Sequence, residues 1–330
     1  MRYSPGGLRR TRSFQYCNIE MKSSSPRLTF ITGINEQYFL LCGMLIESLD
    51  RHFPLIPLHV MDFGLSEAQR EFFRAKDMLL PMPKGLTPQD HPYKLKGAMR
   101  EYLGDRFDAP IWIDADMMAL RNGTEELLAR WEQMMTEGKR VAVTTCHGPP
   151  GGIAETLGSV TSAQPMPHLS AHIAGSAERM QRLYVNAALI FFGNGEVISD
   201  WRAKTDAFEG DACWEQNALN AILGDRLEDA LILDARIWNV HSALIDEMSG
   251  DKSDLRCGGR PAILAHATSA IIGHMQQEGA SEMNFSGYTY RNFLRFFSHA
   301  PLRELQNEYL TAFIGEHFDL LTRLGIFTRA

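Results

Sequence analysis

Asp114 and Asp116 are separated by one small residue and follow an apolar run, Pro110-Ile111-Trp112-Ile113. Apolar residues resume at Met117 and Met118. Such a run reads as a buried strand. Both aspartates then fall at its carboxyl end, where open α/β sheets hold their ligands. Alternation along an extended chain points the two carboxylates to the same side. Two converging hard oxygen donors suit Mg²⁺ or Mn²⁺, above all when a diphosphate supplies further oxygens. Taken alone, a D-x-D triplet is a weak signal, because a chain of 330 residues holds about one by chance.

Other residues have the chemistry to join it. Asn186 interrupts an otherwise apolar strand candidate, Tyr184 to Gly193. A buried asparagine must be hydrogen-bonded, so it either ties the core together or presents its amide to a ligand. Glu215, Gln216 and Asn217 fall at the amino end of a helix that begins at Cys213-Trp214. His266 ends a strand-like run, Ala262 to Ala265. His168 and His172 have helical H-x-x-x-H spacing, but Leu, Ser and Ala lie between them. Without the zincin glutamate a structural or surface role is favoured over a zinc pair. The glycine-rich dinucleotide and P-loop signatures are both absent, which disfavours those enzyme classes.

The elements that must position these residues alternate. Arg27 to Ile34 is a β-rich run ending in glycine, and Asn35 can cap a helix to Phe53. Pro57 to Asp62 reads as a strand, Ser66 caps a second helix, and Met78 to Leu80 reads as a short third strand. A proline-rich loop, Pro81 to Pro92, leads to a helix over Tyr93 to Leu103. The aspartate strand comes fourth, followed by a helix from Thr124 and a strand over Val141 to Thr145. Alternation of this kind predicts an α/β fold with a mostly parallel sheet and crossover helices. The segment 147–183, rich in proline, glycine and small residues, reads as a long surface excursion. From Tyr288 onward the sequence predicts two or three amphipathic helices, one carrying Phe293, Phe296 and Phe297. The expected organisation is a tail over 1–26, a catalytic domain over 27–284, and a helical extension over 285–330. The tail lacks periodicity and reads as disordered, with a transit peptide or a natural start at Met21 as alternatives.

Composition narrows the classes. Hydrophobic content of 45% and charged content of 22% are those of a soluble globular chain. The net charge of -7 gives no reason to expect nucleic acid as a partner. No run reaches the ~18 apolar residues of a membrane span. Five widely spaced cysteines without a C-x-x-C pair favour a reducing, cytoplasmic compartment over a disulfide framework.

The ordered succession TGINEQYF, YKLKGAMREYL, IWIDADMMAL, YVNAALIFF, WEQNALNAIL, IWN and ILAH resembles the GT-A glycosyltransferases. It is most similar to the family 8 type that includes glycogenin and the lipopolysaccharide galactosyltransferases. The resemblance spans roughly Arg27 to His274. It implies a GT-A fold and a metal-dependent transfer of a hexose from a nucleotide-sugar donor, UDP-linked, to a carbohydrate or glycoconjugate acceptor, with retention of configuration. Thr32, Gly33, Ile34 and Tyr38 would lie against the nucleotide. Lys94 would match the basic residue before the D-x-D, with Lys96 an equally placed alternative. Asp114, Ala115 and Asp116 would face Mn²⁺ (or Mg²⁺) and the donor diphosphate, and His266 would complete the metal site. Asn186 would stand near the donor sugar, and Glu215 and Gln216 at its reacting carbon.

Two departures accompany the resemblance. Glu215 stands where the family usually has Asp. The run HATSAIIGH after His266 lacks the family's Lys, Pro and Trp, so His274 or a C-terminal arginine is the replacement on offer. The alternative reading is a non-catalytic relative that binds nucleotide sugars or glycans. A sugar nucleotidyltransferase is disfavoured, because no glycine-rich basic loop follows the first strand.

Overall fold

The computed structural model describes residues 27–104, 106–146, 166–174, 183–193, 195–224, 226–267, 279–285, 288–294 and 297–329. The expected tail, most of the 147–183 excursion and His274 lie outside these. Within the excursion, Pro167–Ile173 is a short helix, with a proline in its first turn.

In chain order the elements are β1 (Leu28–Ile34), α1 (Phe39–His52), β2 (Leu58–Asp62), α2 (Glu67–Ala75), β3 (Leu79–Leu80), α3 (Pro92–Gly97) and α4 (Met99–Leu103). Next come β4 (Ala109–Ile113), β5 (Met117–Ala119), α5 (Thr124–Thr136), β6 (Val141–Thr145), α6 (Pro167–Ile173), β7 (Val185–Phe192), α7 (Gly195–Ala207) and α8 (Trp214–Gly224). The remainder is β8 (Ala230–Leu233), α9 (Ala235–Trp238), the short strands β9 (Met248–Ser249), β10 (Arg256–Cys257) and β11 (Arg260–Pro261), then β12 (Leu264–His266), β13 (Gly279–Phe285), β14 (Tyr288–Leu294), α10 (Ala300–Arg323) and β15 (Thr328–Arg329).

The central sheet runs β3-β2-β1-β4-β7-β6-β8. The pairings β3–β2, β2–β1, β1–β4 and β6–β8 are parallel, whereas β7 runs antiparallel to both β4 and β6. The fold is therefore α/β with a mixed, mostly parallel sheet and helices on both faces. All five residues of β4 and all eight of β7 are buried. That explains why both read as unbroken apolar runs rather than alternating ones. Two large apolar clusters flank the sheet. Phe30, Ile111 and Phe191 belong to one, and Ile31, Trp112 and Ile190 to the other.

Three local expectations change. The helix expected over Tyr93 to Leu103 is two, α3 and α4, meeting at Ala98. The break follows Gly97, where a Cβ would come within 2.8 Å of the Thr205 hydroxyl of α7, so close packing selects glycine there. Over Tyr288–Leu294 the chain is a strand rather than a helix, antiparallel to both β13 and β15. Its Tyr-Thr-Tyr and Phe content favours a pleated strand over a helix. A single long helix, α10, then packs on α1. Leu310, Phe313 and Ile314 of α10 share one apolar cluster with Phe39 and Leu40, so the carboxyl end belongs to the main core.

Candidate active site

The acidic pair sits in a tight turn, not on an extended segment. Asp114 N–H closes on the Ala188 carbonyl of β7, and Met117 N–H donates to the Asp114 carbonyl. Aspartate at the first position of such a turn is favoured, and it breaks the strand at once. The turn sends the chain into β5, which pairs antiparallel with β12 in the register Met117↔His266. Ala267 N–H donates to the Asp116 carbonyl, which locks that register. A histidine about 150 residues away in sequence is thus carried to the two aspartates by a two-strand ladder. The family resemblance implied that these three residues meet; the turn and the ladder are what bring them together.

Asp114, Asp116 and His266 offer ligand atoms that all lie within 4.8 Å of one another. His266 Nε2 is 3.2 Å from Asp116 Oδ1 and 3.9 Å from Asp114 Oδ2. Asp114 divides its two oxygens. Oδ1 accepts from Trp112 Nε1 at 2.6 Å and from Lys96 Nζ at 2.8 Å. Oδ2 is the oxygen turned toward His266. Two carboxylates and one imidazole form a donor set that fits Mn²⁺ or Mg²⁺. The charge balance agrees, because Asp114, Asp116 and Glu215 confront one ammonium. Asp116 is buried, but the Asp114 side chain keeps 26% exposure, enough for a ligand to reach it.

Lys96, not Lys94, is the cation of this site. Two residues apart on a helix lie on nearly opposite faces. Lys94 turns outward to a 2.6 Å pair with Asp90. Lys96 turns inward, with its side chain only 6% exposed, between Asp114 at 2.8 Å and Glu215 at 3.6 Å. Its ammonium also lies 5.0 Å from the Trp112 ring centre and 5.9 Å from that of Trp201. Burial alone would lower the pKa of Lys96; the carboxylates of Asp114 and Glu215 outweigh it and raise it. Glu215 is fully buried, and burial raises its pKa despite the lysine. Its Oε2 has no hydrogen-bond partner among the described residues. Glu215 thus faces Lys96 from behind, whereas Gln216 reaches the sheet.

Gln216 and Asn186 are held by the backbone of β7. Ala187 N–H donates to Gln216 Oε1 at 3.1 Å, and Ala188 N–H donates to Asn186 Oδ1 at 2.8 Å. With both oxygens fixed, both amide NH₂ groups point to the Cys146 sulfur, each at 3.7 Å. Asn239, at the end of α9, donates to Asn186 Oδ1 at 3.1 Å and to Thr144 Oγ1 at 2.9 Å. Helix α8 is clamped in place by Asn220, whose amide binds both the N–H and the carbonyl of Val185. Trp201 Nε1 also donates to the Glu215 carbonyl.

Thr32, Gly33 and Ile34 close β1 next to β4. The β1–β4 ladder ends at Ile31↔Trp112, so beyond that pair the two strands part beside Asp114. The Thr32 and Ile34 side chains are buried, and a Cβ at Gly33 would strike the Phe63 ring at 2.3 Å. Tyr38 is half-buried against the core, and Ala115 lies buried between the aspartates. His168 binds Asp211 at 2.9 Å, a cap for α6 rather than half of a zinc pair. Trp112, Trp201, Cys146 and Asn239 were not marked as site residues by the sequence. Trp112 could have been, since it precedes Asp114 by two positions; nothing in the sequence linked Trp201 or Cys146 to it.

No family model matches the chain, and no curated protein matches it. Solved structures similar to it include the galactosyltransferase LgtC in complex with donor and acceptor sugar analogs, at 13% identity and TM-score 0.48, covering 72% of this chain and 86% of that one. Mouse xyloside xylosyltransferase 1, in its apo form, is similar at 13% identity and TM-score 0.46, covering 73% and 96%. The glycosyltransferase GlyE of Streptococcus pneumoniae is similar at 14% identity and TM-score 0.49, covering 89% and 64%. At such identities and scores the likeness decides nothing about activity, which has to be argued from the site.

Proposed function

We propose that this chain is a metal-dependent glycosyltransferase moving a hexose from a nucleotide-sugar donor, UDP-linked, to a carbohydrate or glycoconjugate acceptor, with retention. The observation that supports it most is the meeting of Asp114, Asp116 and His266 within 4.8 Å, beside the Lys96 ammonium. The place supports it too. Strand order reverses between β1 and β4, and ligands of open α/β sheets bind in the crevice at such a reversal.

Asp116, His266 and the Oδ2 of Asp114 are the atoms that would hold the ion. When bound, Mn²⁺ or Mg²⁺ supplies Lewis-acid neutralisation of a diphosphate leaving group. Lys96 holds Asp114 Oδ1 with one N–H and has others for a phosphate oxygen. Glu215 keeps that ammonium charged and in place. Gln216 is neutral; Ala187 N–H takes one lone pair of its Oε1, and the other lone pair is the one that would support positive charge at the anomeric carbon.

Calorimetric titration with UDP, with and without Mn²⁺, tests this reading. Metal-dependent UDP binding that Asp116→Asn abolishes is the expected result. UDP binding indifferent to Mn²⁺ and to that substitution would overturn it. Binding without turnover of any nucleotide sugar would make the chain a binding module.

A further inference from the structure

We propose that Asn239 is a positioning residue that fixes His266 in its Nδ1–H tautomer, so that the Nε2 lone pair faces Asp114 and Asp116. This rests on the proposed metal site and extends it to a residue outside the ligand set. Ala188 N–H can only donate, so Asn186 must turn its Oδ1 toward it. Asn239 lies 3.1 Å from that same oxygen and must therefore present its NH₂ there. The second N–H of that NH₂ goes to Thr144 Oγ1 at 2.9 Å. Only Oδ1 of Asn239 is left for His266 Nδ1, 3.2 Å away. An oxygen can only accept, so Nδ1 carries the proton. Asn239 is fully buried, and no water exchange is needed to maintain the order.

The consequence is chemical. A histidine that binds a metal through one nitrogen is oriented by the hydrogen bond of the other. Here the orienting group is a carboxamide, and behind it the order continues through Asn186 to Cys146 and Gln216. The metal side and the sugar side of the site are thus joined by one set of fixed amides, anchored on two consecutive N–H groups of β7.

Long-range ¹H–¹⁵N correlation spectra of histidine-labelled protein test this, with the ring of His266 assigned by its loss in His266→Gln. The wild-type ring should carry its proton on Nδ1, with and without Mg²⁺. In Asn239→Ala the ring should populate both tautomers, and Mn²⁺ affinity, read by electron paramagnetic resonance without donor, should fall by about tenfold or more. Asn239→Asp keeps an acceptor for Nδ1–H and should keep the tautomer. A wild-type ring protonated on Nε2 with Nδ1 bare would overturn the proposal, whichever variants fold. So would an Asn239→Ala protein with unchanged tautomer and unchanged Mn²⁺ affinity. If the wild-type chain binds no metal, the metal reading fails, while the wild-type ring spectrum still decides the tautomer.

Discussion

Asp114 has two jobs, and its two oxygens separate them. Oδ1 is committed to Trp112 and Lys96, and Oδ2 is left for a ligand. The lysine is therefore structural as well as electrostatic. Replacing it by alanine leaves the buried Glu215 carboxylate uncompensated, a change that costs about 3–5 kcal/mol when one partner of a buried pair is removed. Lys96→Ala should lower unfolding stability by that order and abolish donor turnover. Lys94→Ala, which removes only a surface pair with Asp90, should change stability by less than about 1 kcal/mol and leave turnover intact. Denaturant unfolding and donor hydrolysis on both variants check this. If Lys94→Ala proved the damaging change, the assignment of the site cation would be wrong. At this scale the sequence showed the residue types but not their facing. It offered both lysines, and only the helical phase of α3 chose between them.

Among the elements, the antiparallel insertions carry the site. β7 brings Asn186 and the two N–H anchors beside β4, and β5–β12 carries His266 to Asp116. The strands themselves were legible as apolar runs; their directions were not, because apolar content is the same for parallel and antiparallel neighbours when both faces are buried. The strand over Tyr288–Leu294 was read as helix because short aromatic-rich runs fit either period. Among the polar ties of helix α8, Asn220 binds both backbone groups of one β7 residue. Asn220→Leu would leave both Val185 N–H and its carbonyl without a partner, at about 1–3 kcal/mol for each buried group. Stability should fall by about 2–4 kcal/mol, read by thermal and urea unfolding, and Gln216 should lose its register on β7. A near-neutral change would mean that Asn220 is not what holds α8 to β7.

For the whole molecule, α10 closes the core from the carboxyl end. Its Tyr309 hydroxyl donates to the Ala119 carbonyl of β5 and receives His52 Nε2–H of α1 at 2.9 Å. Neutral and protonated His52 can both make that bond, so it is the surroundings of the ring that set its charge. Burial, reinforced by the Arg51 charge, lowers the His52 pKa from 6.5 to about 4. The unfolded chain then binds more protons than the folded one between those values, so stability is lost as pH falls from about 6.5 to about 4. Unfolding midpoints measured across that range should fall less steeply in His52→Gln than in the wild type; equal slopes would remove His52 from the account. None of the described helices is long and apolar enough to cross a membrane. The α/β class was readable because strand runs are local signals, whereas the D-x-D, weak alone, gained its weight only from the ordered succession of motifs around it. The tertiary role of α10 was not, since its partner α1 lies at the other end of the chain.

The proposed role of Asp114, Asp116 and His266 is metal-dependent cleavage of a nucleotide-sugar bond. The most direct measurement is release of nucleoside diphosphate from a panel of nucleotide hexoses, with Mn²⁺ and with chelator, by wild-type protein and Asp116→Asn. Release is expected from at least one UDP-hexose, requiring the metal and falling by at least about a hundredfold in Asp116→Asn, as when transition-state charge loses its support. Release that persists in chelator, or that Asp116→Asn leaves unchanged, would contradict that role.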